Sequence, residues 1–285
     1  MIDESILVVK GTVATVLGKG ELAPGLNLLV ERSIRRPRVP VVRTVGHILT
    51  EIDVSDLGDV LELLHTSAER WDSLRLQGHE WRHIATLNRA FEHEMGQTGG
   101  GPISSIQFRT NDVEADESNE EWRLWVAKPN KTRTQFQVGS ETVTAVFAGN
   151  NWWSWTTSGY RTNNGDVNTS HGLGPAEGLF NPATHVGWLQ LRVDDRATFL
   201  SRPAYLVSAI PRVADRHGFN PAPHMLGLGA DSYKLVVDAE LGILLRCQAE
   251  FEGAAFRVIE VDELAANEQL GESLFDPAAL RNQLR

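Results

Sequence analysis

From Asn119 to Arg161 the chain reads NEEWRLWVAKPNKTRTQFQVGSETVTAVFAGNNWWSWTTSGYR, with a period of two interrupted by glycine, proline and asparagine. This stretch constrains the fold most, because only an extended strand sends successive side chains to opposite faces. Thr132, Thr134, Phe136 and Val138 share one side and Lys131, Arg133, Gln135 and Gln137 the other, and Val143, Ala145 and Phe147 repeat the pattern. Gly139-Ser140 separates these runs, with glycine at the first central position of a two-residue type II′ turn. Lys128-Pro129-Asn130, Gly149-Asn150 and Ser158-Gly159 mark the other turns. The stretch predicts an antiparallel meander, and it holds five of the chain's eight tryptophans.

The flanking sequence predicts more sheet with a few helices. Ser55 to Trp71 reads as a helix: Ser55 can cap it, and Leu57, Val60, Leu61, Leu64, Ala68 and Trp71 recur at helical spacing. From Ser73 the period changes to two through Leu74 and Leu76 toward Thr86. Leu87 to Met95 is compatible with a helix, Ile103 to Phe108 with a short strand, and Asn111 to Glu121 with an acidic loop. Leu179 to Trp188 reads as a short helix over an opening. Strands then follow at Trp188–Val193, Ala197–Leu200, Ala204–Ile210, Tyr233–Val237, Ile243–Phe251 and Ala254–Val261, with Asp194-Asp195 read as a hairpin turn. This element pattern implies a mainly β fold with some α: a large curved antiparallel sheet with helices on one side. Residues 1–55, with a β-branched run from Ile6 to Leu17, read as an N-terminal extension, and residues 56–285 as the main domain.

Bulk properties narrow the function. A formal net charge of -10 argues against nucleic acid, whose phosphates require a basic stripe. The one basic island, Arg32, Arg35, Arg36, Arg38 and Arg43, contains prolines and no aromatic residue, and reads as a solvated edge segment. A single cysteine, Cys247, excludes an internal disulfide and a cysteine-built zinc site; in phase with Leu245 and Ala249, it reads as a small buried hydrophobe. Acidic residues near the start stand where a signal peptide is basic, and no apolar run approaches the roughly eighteen residues of a membrane span. The expected location is therefore cytoplasmic, without a spanning helix. Gly18-x-Gly20-x-x-Ala23 superficially resembles a dinucleotide loop, but Pro24-Gly25 follows where a helix must start.

His79-Glu80-Trp81-Arg82-His83 is a literal H-E-x-x-H. On a helix this spacing lets His79 and His83 clamp zinc while Glu80 activates the bound water, as in a zinc-dependent peptidase. The flanks Leu74, Leu76 and Ile84 alternate with polar residues instead, and a strand sends Glu80 to the face opposite both histidines. No third ligand falls at the metzincin position, which is Arg89, and Glu92 and Glu94 lie close for a gluzincin. His217 and His224 with Asp215 lack a ligand spacing. No cofactor is implied. The aromatic residues remain: Trp122, Phe136, Phe147, Trp153, Trp155 and Trp188 are the candidate lining of an apolar cavity, set against the alternative that they merely fill a core.

A family resemblance lies mainly in the C-terminal half. Leu179-Phe180-Asn181-Pro182-Ala183, Trp188-Leu189-Gln190-Leu191, Ser201-Arg202-Pro203-Ala204-Tyr205, Tyr233 to Asp238 with Gly242 and Leu244-Leu245-Arg246, and Leu274-Phe275-Asp276-Pro277 succeed one another. With Trp125, Pro129 and Arg133, this succession resembles the LolA/LolB/RseB-like superfamily, particularly actinobacterial LolA-like proteins of the lipoprotein-sorting type, over residues 56–280. The resemblance implies an unclosed β-barrel with a helical lid and a hydrophobic cavity that holds acyl chains in relatives, most of which are extracytoplasmic. The expected function is a non-enzymatic binding or carrier protein for a lipid or acylated ligand. The alternatives are the zinc peptidase and a regulatory protein whose basic N-terminal segment contacts a protein partner while the barrel serves as a scaffold.

Overall fold

The computed structural model describes residues 55–97, 116–138, 141–163, 172–212 and 225–283, and two short strands nearer the N-terminus. Those two, β1 (Ile6–Val9) and β2 (Thr12–Thr15), pair antiparallel as a separate sheet. The basic island, the Ile103 to Phe108 strand and the cluster of Asp215, His217 and His224 lie outside the described residues.

The main sheet has eleven strands. In chain order they are β3 (Ser73–His83), β4 (Glu117–Ala127), β5 (Lys131–Val138), β6 (Glu141–Ala148), β7 (Asn151–Thr156) and β8 (Gly159–Thr162). The second half comprises β9 (Leu189–Phe199), β10 (Arg202–Pro211), β11 (Ser232–Asp238), β12 (Leu244–Phe251) and β13 (Ala254–Ala266). The spatial order is β8-β7-β6-β5-β4-β3-β13-β12-β11-β10-β9, with every neighbour antiparallel. Two meanders are thus joined where the first strand of the sheet pairs with its last, and β8 and β9 remain as edges. The sheet is not closed into a barrel. Val138 pairs with Glu141, which leaves a two-residue connection where Gly139-Ser140 was expected to turn.

Apolar alternation sets which face is buried. Leu74 and Leu76 of β3, Trp122, Leu124 and Val126 of β4, and Ile259 and Val261 of β13 point to one side, called the inner face. Helix α1 (Ser55–His65) covers it with Val60, Leu63 and Leu64, and α2 (Ile84–Gln97) with Leu87 and Ala90. Two one-turn helices, α3 (Glu177–Phe180) and α4 (Ala183–Val186), complete the cover. The outer face has its own smaller core: Val146 and Trp155 are buried against Phe275 and Leu280, with Trp125 and Trp153 at its margin. Leu280 lies on the C-terminal helix α5 (Pro277–Gln283), so helical cover is found on both faces rather than on one.

Four local expectations differ from the structure, and the first is the acidic loop expected to run to Glu121, which gives way to β4 at Glu117 because Glu117 to Glu121 pair with His83 to His79. Helix α1 stops at His65, and a 3-10 turn at Ser67–Glu69 leads to the buried Trp71, so Ala68 and Leu61 are exposed and Leu63 takes the inner position. The helix expected from Leu179 to Trp188 is split at Asn181, because the ring of Pro182 disfavours helical geometry in the residue before it. Asp194-Asp195 is not a turn. Strand β9 runs through both, and the extra residue is absorbed as a bulge where pairing passes from Val193–Val207 to Asp195–Leu206. Asp194 accepts hydrogen bonds from Ser208 Oγ and from Arg192 Nε at 2.7 Å, which satisfies its carboxylate on the strand. The reversal falls on Leu200-Ser201, with φ of 52° and 61°, the positive values that a type I′ turn needs.

Gly78, at the centre of the sheet, permits its closest contact. A Cβ there would lie 2.0 Å from the carbonyl oxygen of Glu260 and 2.5 Å from the Trp122 ring. Gly78→Ala is expected to destabilise by about 1–3 kcal/mol, the usual cost of overpacking, and a shift in urea midpoint checks it.

Candidate functional site

His79-Glu80-Trp81-Arg82-His83 lies on β3, and the pleat divides it between the two faces. Glu80 is fully buried on the inner face, where Oε1 accepts from Arg82 Nε at 2.8 Å and from Arg257 Nε at 2.6 Å, and Oε2 from Arg82 Nη2 at 2.5 Å. Arg257 stands opposite Arg82 in the β3–β13 register and also donates to the carbonyl of Met225 at 3.0 Å. Arg82 is paired as well with Glu120 at 3.2 Å. Burial pushes the Glu80 carboxyl up, but the charges of Arg257 and Arg82 and their hydrogen bonds outweigh it and hold the pKa below the ordinary carboxylate value. Glu80 is thus an ionised counter-charge with both oxygens occupied.

The histidines lie on the other face. His79 Nδ1 is 3.0 Å from Asp262, and His83 Nδ1 is 2.9 Å from Thr86 Oγ1 and accepts from the Thr86 backbone N–H at 3.3 Å. His83 thereby caps the start of α2. Four residues along a strand span about 13 Å, too far for both to bind one ion. His79, Glu80 and His83 therefore do not converge on a catalytic metal.

The six candidate aromatic residues are likewise divided. Gly78, Trp122, Phe136 and Val143 form one continuous cross-strand row on the inner face. Phe147 occupies a second inner row, from Leu74 through Val126 and Thr132 to Phe147 and Trp152. Trp122 and Phe136 are buried, and Phe147 and Trp152 are half-buried. Trp153 and Trp155 belong to the outer core, and Trp188 is exposed just before β9, far across the sheet. Trp122, Phe136 and Phe147 therefore share a face with Trp152, and the other three do not. The signal for Trp152 was present in the alternation, since adjacent Trp152 and Trp153 must diverge, but only its pairing with Phe147 shows which of them points inward.

The segment from Gly172 to Phe180 lies across this wall. The Thr134 hydroxyl donates to the carbonyl of Leu173 at 2.7 Å, and the Leu173 N–H donates to Glu177 at 3.0 Å. Gly174, with φ of +79°, rests on Phe136 so closely that a Cβ would meet the ring at 2.6 Å. Phe180 packs edge-on to Trp71 at 6.5 Å, and Lys128 Nζ sits 4.0 Å above that indole. The indole N–H of Trp122 is buried without a hydrogen-bond partner among the described residues. A depression of about 200 Å³ near Trp122 and Phe136 is bordered by Glu121, Arg123, Gln135 and Gln137, whose side chains belong to the outer face.

No protein-family model and no curated protein matches the chain. Solved structures similar to it include MucB, 16% identical over 78% of this chain and 62% of that one, with a TM-score of 0.42. LppX, a lipoprotein of Mycobacterium tuberculosis, is 8% identical over 79% of this chain and 100% of that one, with a TM-score of 0.42. A LolA superfamily protein of Nitrosomonas europaea is 8% identical over 78% of this chain and 97% of that one, with a TM-score of 0.29. The chain spans less than two thirds of the length of MucB.

Proposed function

We propose that this protein is a non-enzymatic binding or carrier protein that holds an apolar or acylated ligand between the inner face of β4–β7 and the segment from Leu173 to Glu177. One observation carries the reading: Trp122, Phe136, Val143, Phe147 and Trp152 form an apolar, aromatic wall on one face of an unclosed sheet, and the loop at Leu173 and Gly174 lies across it against Thr134 and Phe136. Such a wall binds by desolvation, each buried methylene contributing about 0.8 kcal/mol, so affinity rises with chain length rather than with headgroup chemistry. Movement of the covering segment admits the ligand. The geometry of Glu80 favours this over hydrolysis, because its carboxylate is held by two arginines. The net charge of -10 speaks against nucleic acid as the partner, and among the described residues no helix is long and apolar enough to cross a membrane.

Native mass spectrometry of the full chain with palmitate and with a palmitoylated peptide tests the reading. One ligand per chain is expected, with at least a tenfold weaker occupancy in Phe147→Asp, at a half-buried position, in a variant that circular dichroism shows to be folded. Only the bare protein mass with both ligands would overturn it.

A further inference from the structure

We propose that the outer face carries a site for a divalent transition metal, built by His79, Glu260 and Asp262 and independent of the inner wall. Strand pairing sets His79 directly opposite Glu260, and the extra residue between Val261 and Glu263 in the β13 register is Asp262. This bulge is what brings a second carboxylate beside the imidazole. His79 Nδ1 lies 3.2 and 3.0 Å from the two oxygens of Asp262, and one ligand atom from each of the three residues lies within 4.8 Å of the others. On the other flank, β4 sets Glu121 opposite His79, so the imidazole stands between glutamates on both neighbouring strands. Arg246 lies 3.3 Å from Glu260 Oε2 and offsets only part of this negative charge.

The donor set selects the metal. An imidazole nitrogen with two carboxylates suits zinc or cobalt, whereas calcium and magnesium prefer all-oxygen shells. Donors about 2.0–2.2 Å from one tetrahedral ion stand roughly 3.3–3.5 Å apart, close to the present separation of His79 and Asp262, so any remaining contraction falls to rotation of the Glu260 side chain. Three protein ligands leave a position for water. Glu80 cannot serve that water, because it faces the opposite side of the sheet, so the site binds rather than hydrolyses. Its physical effect is to tie β3, the first strand of the sheet, to β13, its last.

Titration of the full-length, chelator-treated protein with Co²⁺ and Zn²⁺, followed by cobalt absorption and calorimetry, tests the proposal. One ion per chain is expected, together with a rise in Tm that Mg²⁺ does not produce. His79→Ala and Asp262→Asn should each weaken binding at least tenfold while circular dichroism stays unchanged, and the paired Asp262 variant guards against a folding effect at His79. No binding by the native chain would overturn the assignment. So would binding that both variants retain, which would place the ion elsewhere, for example at Asp215, His217 and His224.

Discussion

Glu80→Gln is expected to lower the unfolding free energy by about 3–5 kcal/mol, the range for removing one partner from a buried ion pair. The loss is large because the amide leaves two guanidinium groups without their shared counter-charge. Arg82 retains Glu120, whereas Arg257, whose side chain is only 5% exposed, loses the Glu80 carboxylate and retains the Met225 carbonyl. Replacing the whole network with apolar residues should recover much of the loss, since the cost arises from uncompensated charge rather than from lost attraction. Urea unfolding of the native chain, Glu80→Gln, and a variant with Glu80, Arg82 and Arg257 all made apolar measures both effects.

The same group is expected to contribute to the acid limb of the stability curve, together with Glu250, whose pKa is also held below the ordinary carboxylate value. The folded pKa of Glu80 is lowered by Arg257 and Arg82 against the opposing effect of burial, so ionised Glu80 stabilises the fold at pH values above its unfolded pKa of about 4.3. That contribution declines as pH falls below the unfolded value and is lost once pH passes through the lower folded pKa. Glu80→Gln should therefore flatten the dependence of stability on pH in the acid range. An acid limb of unchanged slope would show that other carboxylates set it.

Trp122→Ala is expected to cost about 3–5 kcal/mol, as for other buried aromatic truncations. The indole fills the space over Gly78, where no side chain can take its place, and it is 1% exposed. Relaxation into the cavity is limited because the sheet fixes Gly78 on one side and the Phe136 row on the other. Trp122→Phe should cost much less, since the indole N–H has no partner to lose among the described residues. Thermal unfolding of both variants, with palmitate uptake measured alongside, checks the ranking and whether the wall takes part in binding.

Much of the sheet was legible because period-two alternation and turn residues are local signals. Leu74 and Leu76 announced β3, Thr132 to Val138 announced β5, and Cys247 is buried in phase with Leu245 and Ala249 as expected. The errors arose where local chemistry was ambiguous. Two adjacent aspartates suit a turn, but on β9 a bulge and Ser208 accommodate them. The Leu61 register suited a helical stripe, but the chain passes into a 3-10 turn before Trp71.

By itself, then, the sequence determined that this chain forms a long antiparallel sheet with apolar cover, that H-E-x-x-H sits on a strand, and that Glu80 opposes its histidines. Tertiary structure alone decided that β3 closes against β13, because pairing between residues nearly two hundred positions apart leaves no local trace. That closure brings Arg257 to Glu80 on one face and Asp262 to His79 on the other. It also fell to the structure to send Trp152 inward with Phe147, and Trp153 and Trp155 outward under the C-terminal helix. Alternation says that neighbouring side chains diverge, but only packing against a second layer establishes which face is which.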